Sequence, residues 1–120
     1  PIGILYEGKR TFYITKDGDI INFFKNSKLE KLPIIYGKGK NFINIYNTLI
    51  IEKFPLNEIK AFYFFEIGRW DIILKNKKII KLPPENFDKR IKDFIKIMNH
   101  KNFDKYTIFD YRIKKQLILN

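Results

Sequence analysis

Two stretches of the chain repeat apolar residues at the spacing of a helical face, and they dictate what the rest must provide. From Asn41 the apolar positions are Phe42, Ile45, Tyr46, Leu49, Ile50 and Phe54, the i, i+3, i+4, i+7, i+8 stripe of an amphipathic helix. Asn41 is the expected N-cap, and Pro55 ends the segment because the residue before proline is pushed out of the helical region. The second stripe is Phe87, Ile91, Phe94, Ile95 and Met98, and it follows Pro83-Pro84-Glu85, where proline and an acid suit a helix start. Its other face carries Asp88, Lys89, Lys92, Asp93 and Lys96, a solvated surface. A striped helix cannot bury its stripe alone, so both require an apolar sheet face to lie on.

The remaining segments supply strands. Arg10 to Lys16 mixes β-branched and aromatic residues, runs into Asp17-Gly18 and resumes at Asp19 to Phe24, which reads as a hairpin with an Asp-Gly turn. In Leu32-Pro33-Ile34-Ile35-Tyr36-Gly37, Pro and Gly bracket a short extended piece. Glu58 to Glu66, Trp70 to Leu74 and Lys78 to Leu82, with turns at Gly68 and Asn76-Lys77, read as a three-stranded meander. Tyr106 to Arg112 and Ile113 to Leu119 read as one or two closing strands, interrupted or edged at Lys114-Lys115-Gln116. The expected fold class is α+β: a mainly antiparallel sheet with two amphipathic helices packed on it, as one domain over residues 1–120.

Composition removes whole classes of function. With 45% apolar and 17% aromatic residues the chain is not disordered. Zero Cys and one His leave no disulfide framework, Cys-based zinc site, thiol nucleophile or His cluster. The carboxylates Glu52, Glu58, Glu66, Asp71 and Asp110 are scattered, and Asp88 and Asp93 do not share a helical face, so no catalytic, cofactor or metal site is expected. Gly37 and Gly39 precede a helix but lack the Gly-Lys-Ser/Thr signature of a phosphate-cradling loop. A net charge of +11, from 24 Lys plus Arg against 13 Asp plus Glu, allows a basic nucleic-acid-binding domain as the alternative function. Lys far outnumbers Arg, however, and the basic residues run from Lys9 to Lys115 without a focus.

In order and spacing the motifs resemble the C-terminal β domain of the bacterial cell-division family FtsQ/DivIB. Pro1-Ile2-Gly3 is similar to the family's Pro-x-Ala, and Ile14-Thr-Lys-Asp-Gly18 to its Ile-Asp-x-x-Gly hairpin. Leu32-Pro33-Ile34-Ile35-Tyr36-Gly37 resembles Leu-Pro-x-Leu-x-Gly. Trp70 to Asn76 with Ile80-Lys-Leu82 resembles Trp-x-Leu-x-Leu-x-Asn-Gly-x-x-Ile-x-Leu, with Lys77 in place of Gly, and Phe109-Asp110-Tyr111-Arg112 resembles the closing Val-Asp-Leu-Arg.

The resemblance implies an excised periplasmic domain of a single-pass protein of the bacterial inner membrane, whose POTRA domain and transmembrane helix lie outside these residues. It implies a monomeric, non-catalytic divisome scaffold that binds the membrane-anchored proteins FtsB and FtsL by pairing at its C-terminal strand edge. The partner-binding residues it points to are Arg112, Ile113, Lys114, Lys115, Gln116 and Leu117. Read structurally instead, Arg112 pairs with Asp110, and Lys114 and Lys115 blunt a sticky edge. Trp70 is expected in the core and His100 on the surface beyond the second helix.

Overall fold

The computed structural model describes all 120 residues. Its strands are β1 (Gly3–Glu7), β2 (Arg10–Ile14), β3 (Ile20–Asn22), β4 (Ile34–Tyr36), β5 (Ile59–Phe65), β6 (Arg69–Leu74), β7 (Ile79–Lys81), β8 (Ile108–Asp110) and β9 (Ile118–Leu119). The helices are α1 (Gly39–Ile51) and α2 (Phe87–Ile97). All nine strands form one sheet in the order β3-β2-β1-β4-β5-β6-β7-β8-β9.

The sheet is mixed. Pairing is antiparallel at five joints and parallel at three, β1 with β4, β4 with β5 and β7 with β8. The last two follow from the helices: β4–α1–β5 and β7–α2–β8 are crossovers, and a chain that leaves a strand through a helix returns parallel to it. The third arises from β1, which the sequence reading leaves out. Its five residues pair with β2 on one side and β4 on the other.

Both helices cover the same sheet face. Strand register aligns Leu5, Ile35, Phe62, Ile72, Ile80 and Phe109 in one row across six strands. Onto this row α1 lays Phe42, Ile45 and Leu49, and α2 lays Ile91 and Phe94, all fully buried. Trp70, 4% exposed, belongs to the same core. The opposite face has no helix. There an aliphatic row of Ile4, Ile34, Ala61, Ile73, Ile79 and Ile108 runs beside a row that begins with Tyr6, Tyr36 and Tyr63 and continues through Asp71, Lys81 and Asp110. Tyr36 and Tyr63 stack at 4.4 Å.

The helix ends differ from the sequence expectation. α1 begins at Gly39 with Lys38 at its N-cap and no side-chain cap, so Asn41 is a first-turn residue, its N–H donating to the Lys38 carbonyl at 3.2 Å. The start moves forward because Gly39 is buried against the sheet: a Cβ there would sit 3.1 Å from Leu5 and Ile20. At the other end, Phe54 N–H donates to Leu49 O and Lys53 N–H to Ile50 O, with Lys53 left-handed at φ 61. That Schellman closure stops α1 before Pro55 is reached. Gly37 lies between β4 and α1 at φ 147, where a Cβ would approach Phe64 Cβ to 2.5 Å, so no other residue fits.

Candidate functional site: the C-terminal sheet edge

β8 ends in a clamp. The side chain of Asp110 accepts from Arg112 Nε at 2.9 and 3.1 Å, from Nη2 at 2.6 Å and from the Arg112 backbone N–H at 3.0 Å. Hydrogen bonds from Arg112 hold the Asp110 carboxyl below its ordinary pKa against the opposing effect of burial, and the same pairing raises Arg112. Arg112 is therefore a strand-end anchor whose guanidinium stays partly open to solvent. Between the pair, Tyr111 turns inward. Its N–H donates to Lys81 O at 2.8 Å, its ring is buried, and its hydroxyl has no partner. Burial, with the Asp93 charge adding to it, pushes that hydroxyl well above the usual tyrosine range, so it stays a neutral donor.

Beyond the clamp the chain breaks at Lys114-Lys115-Gln116, where the sequence reads as an interruption or edge. Gln116 N–H donates to Ile113 O at 3.0 Å and Lys115 is left-handed at φ 60, so residues 113–116 form a turn. No ladder runs through Ile113, Lys114, Lys115 and Gln116, which are all exposed, while Leu117 is half-buried against the core cluster. Three basic or polar side chains in succession outcompete the short apolar pattern around them. Strand geometry resumes only at β9, which pairs with β8 through Phe109↔Leu119 and Asp110↔Ile118.

The free edge is set by alternation. Asn120 exchanges both backbone bonds with Ile108, at 3.0 and 3.1 Å, so the next pair, Phe109 with Leu119, is the non-bonded one. The N–H and C=O of Leu119 thus point away from β8 into solvent. β9 is the last strand of the sheet order, and nothing covers this side.

The other candidates fall outside this edge. Trp70 is a core residue. His100 is exposed beyond α2, where its Nδ1 accepts from Asn102 N–H at 3.3 Å. Asp71 pairs with Arg69 at 2.6 Å and Glu52 with Lys92 at 3.8 Å. No three His, Asp or Glu side chains are grouped to hold a metal, and no helix is long and apolar enough to cross a membrane. One contact that no sequence pattern marks is the capture of Lys78 Nζ by three backbone carbonyls, Phe103 at 3.2 Å, Asp104 at 3.0 Å and Tyr106 at 2.8 Å. A lysine in a turn has no pattern that marks such a role.

Comparison with known proteins places this geometry. No individual curated protein matches the chain. Among solved structures, it is similar to the major extracytoplasmic domain of the trans isomer of the bacterial cell division protein DivIB from Geobacillus stearothermophilus. The TM-score is 0.51 at 12% identity, over 78% of this chain and 85% of that one. That likeness speaks for the fold. The sequence model of the cell division protein FtsQ/DivIB C-terminal domain matches residues 4–112, ending on the Arg112 clamp. The chain therefore belongs to the FtsQ/DivIB family of bacterial cell-division proteins, as its C-terminal domain.

Proposed function

We propose that this domain is a non-catalytic scaffold of the division machinery that captures an extended segment of a membrane-anchored partner of the FtsB or FtsL type by strand addition at β9. The observation that carries the reading is the free edge: Leu119 turns its backbone donor and acceptor outward on the last strand of the sheet. Arg112, Ile113, Lys114, Lys115, Gln116 and Leu117 then flank the incoming strand rather than pair with it throughout. Lys114 and Lys115 favour a partner with acidic side chains, Arg112 anchors the strand end beside them, and Ile113, half exposed, offers an apolar contact. In this reading the domain acts as a monomer on the periplasmic side of the inner membrane, tethered by parts of the protein outside these residues.

The test is calorimetric titration of FtsB and FtsL ectodomains from the same organism against the parent and Leu119→Pro. Proline at 119 removes only an outward N–H and leaves the β8 bonds intact, so the variant should stay folded by circular dichroism and lose most of its binding. Unchanged binding by a folded Leu119→Pro variant rules out pairing at this edge. In a separate titration with DNA, association that ignores sequence and collapses with salt would mark charge-driven contact only.

A further inference from the structure

Beside the partner edge, between the first turns of α2 and the turn after β8, lies an open cavity of about 350 Å³. Five cationic side chains line it: Lys89 and Arg90 from α2, and Arg112, Lys114 and Lys115 from the turn, against one acid, Glu85. Arg112 is committed to Asp110 and Arg90 lies 3.3 Å from Asp93, whereas Lys89, Lys114 and Lys115 pair with no carboxylate. Three of the five cations are thus left outside any ion pair.

Two further features supply uncharged donors. α2 starts on this wall behind Pro83 and Pro84, and its N-cap residue Asn86 is left-handed at φ 59 with no side-chain cap. The N–H groups of the first turn are thus left without a side-chain acceptor, at the positive end of the helix. Independently, Tyr111 lines the same cavity, is 2% exposed, and has a hydroxyl without any hydrogen-bond partner. A buried hydroxyl left unpaired is destabilising, and a ligand oxygen that reached it would remove that cost.

We propose that this cavity binds a phosphate group, carried by a phosphate mono- or diester. Residues bearing donors line the cavity from three parts of the chain: the start of α2 with its lysine, the lysines of the turn, and Tyr111. A carboxylate offers two oxygens in one plane and leaves part of this set unused. A phosphate spreads its oxygens tetrahedrally, and both helix N-termini and lysine ammonium groups suit it. The site goes beyond the strand-addition reading and stands without it.

The experiment titrates the ¹⁵N-labelled domain with pyrophosphate and, at equal ionic strength, with succinate. Saturable amide shifts confined to residues 85–90 and 111–116 are expected, with succinate weaker on the order of tenfold, which corresponds to about 1.4 kcal/mol. Tyr111→Phe should melt at or above the parent temperature yet bind pyrophosphate several-fold more weakly. Lys89→Gln with Lys114→Gln should weaken it about tenfold, a loss typical of charge-assisted bonds, while Lys16→Gln with Lys25→Gln, an equal charge change outside the cavity, should not. Co-sedimentation with phosphatidylglycerol but not phosphatidylcholine vesicles, lost in the Lys89/Lys114 variant, assigns the group to a lipid headgroup; pyrophosphate binding without sedimentation assigns it to a soluble phosphoester. Shifts spread over surface lysines generally, equal binding of succinate, or no effect of Tyr111→Phe overturns the proposal.

Discussion

Arg112 and Asp110, two residues apart, close on each other through both carboxylate oxygens, and the clamp fixes where the sheet's last long-range pairing ends. Because the Asp110 carboxyl is held below its ordinary pKa in the folded state, its contribution to stability is fully present above the unfolded-state value of about 3.9. It is lost as pH falls through the folded value. Stability from denaturant melts should fall on acidification below about pH 4, and Arg112→Gln should flatten that acid limb. The variant should also cost roughly 1.5 kcal/mol at neutral pH, the low end for a bond to a charged group because the guanidinium is 46% exposed.

Phe94 is fully buried, edge-on to Phe109 at 5.0 Å and stacked with Phe54 at 6.2 Å. Phe94→Ala leaves a cavity where α2, the α1 exit and β8 meet, and should cost about 3–5 kcal/mol. A thermal midpoint like the parent's would show that α2 does not pack on β8.

Lys77 occupies a left-handed position at φ 75 in the β6–β7 turn, a conformation that glycine adopts without steric cost. Lys77→Gly should therefore raise stability by roughly 1 kcal/mol, without altering the turn bond from Lys77 N–H to Leu74 O. A lower melting temperature would show that the lysine makes a compensating contact.

Lys78, next in sequence, tethers the segment between α2 and β8 through the carbonyls of Phe103, Asp104 and Tyr106. Lys78→Met keeps the aliphatic stem and deletes all three bonds, so a loss of about 1.5–3 kcal/mol is expected. Amide exchange should accelerate locally across residues 101–107, which separates a lost tether from general destabilisation.

Charge reversal of Lys114 and Lys115 to Glu tests the rim of the proposed partner edge. Stopped-flow mixing with the FtsB ectodomain should show slower association and a weaker salt dependence, with dissociation little changed. A large change in dissociation alone would place these lysines inside the interface.

Much of this fold is legible in the chain because its signals are periodic. The stripes through Phe42 and Phe94, the Asp17-Gly18 hairpin and the β5–β6–β7 meander all stand where spacing and turn residues put them. β1 is not legible, since Gly3-Ile-Leu-Tyr-Glu7 has neither alternation nor a turn before it, and its place between two strands comes from β4 on its far side. The edge is half legible. Asp110 with Arg112 marks it, but the left-handed Lys115 that converts Ile113–Gln116 into a turn belongs to a residue type that rarely adopts that conformation. The cavity beside it joins residues from positions 83–90 and 111–115, a proximity that only the β7–α2–β8 crossover creates.

The position of β4 bears on how the chain finds this structure. β1–β2–β3 and β5–β6–β7 are each consecutive antiparallel meanders, built from neighbours in sequence, and the three residues Ile34–Tyr36 are what join them in one sheet. Each meander closes over short loops and is the kind of unit that forms early, whereas seating β4 requires two parallel pairings that close longer stretches of chain. Folding should accordingly be limited by that seating step, and the Leu-Pro-x-x-x-Gly segment is where a slow mutant or a half-assembled intermediate would originate.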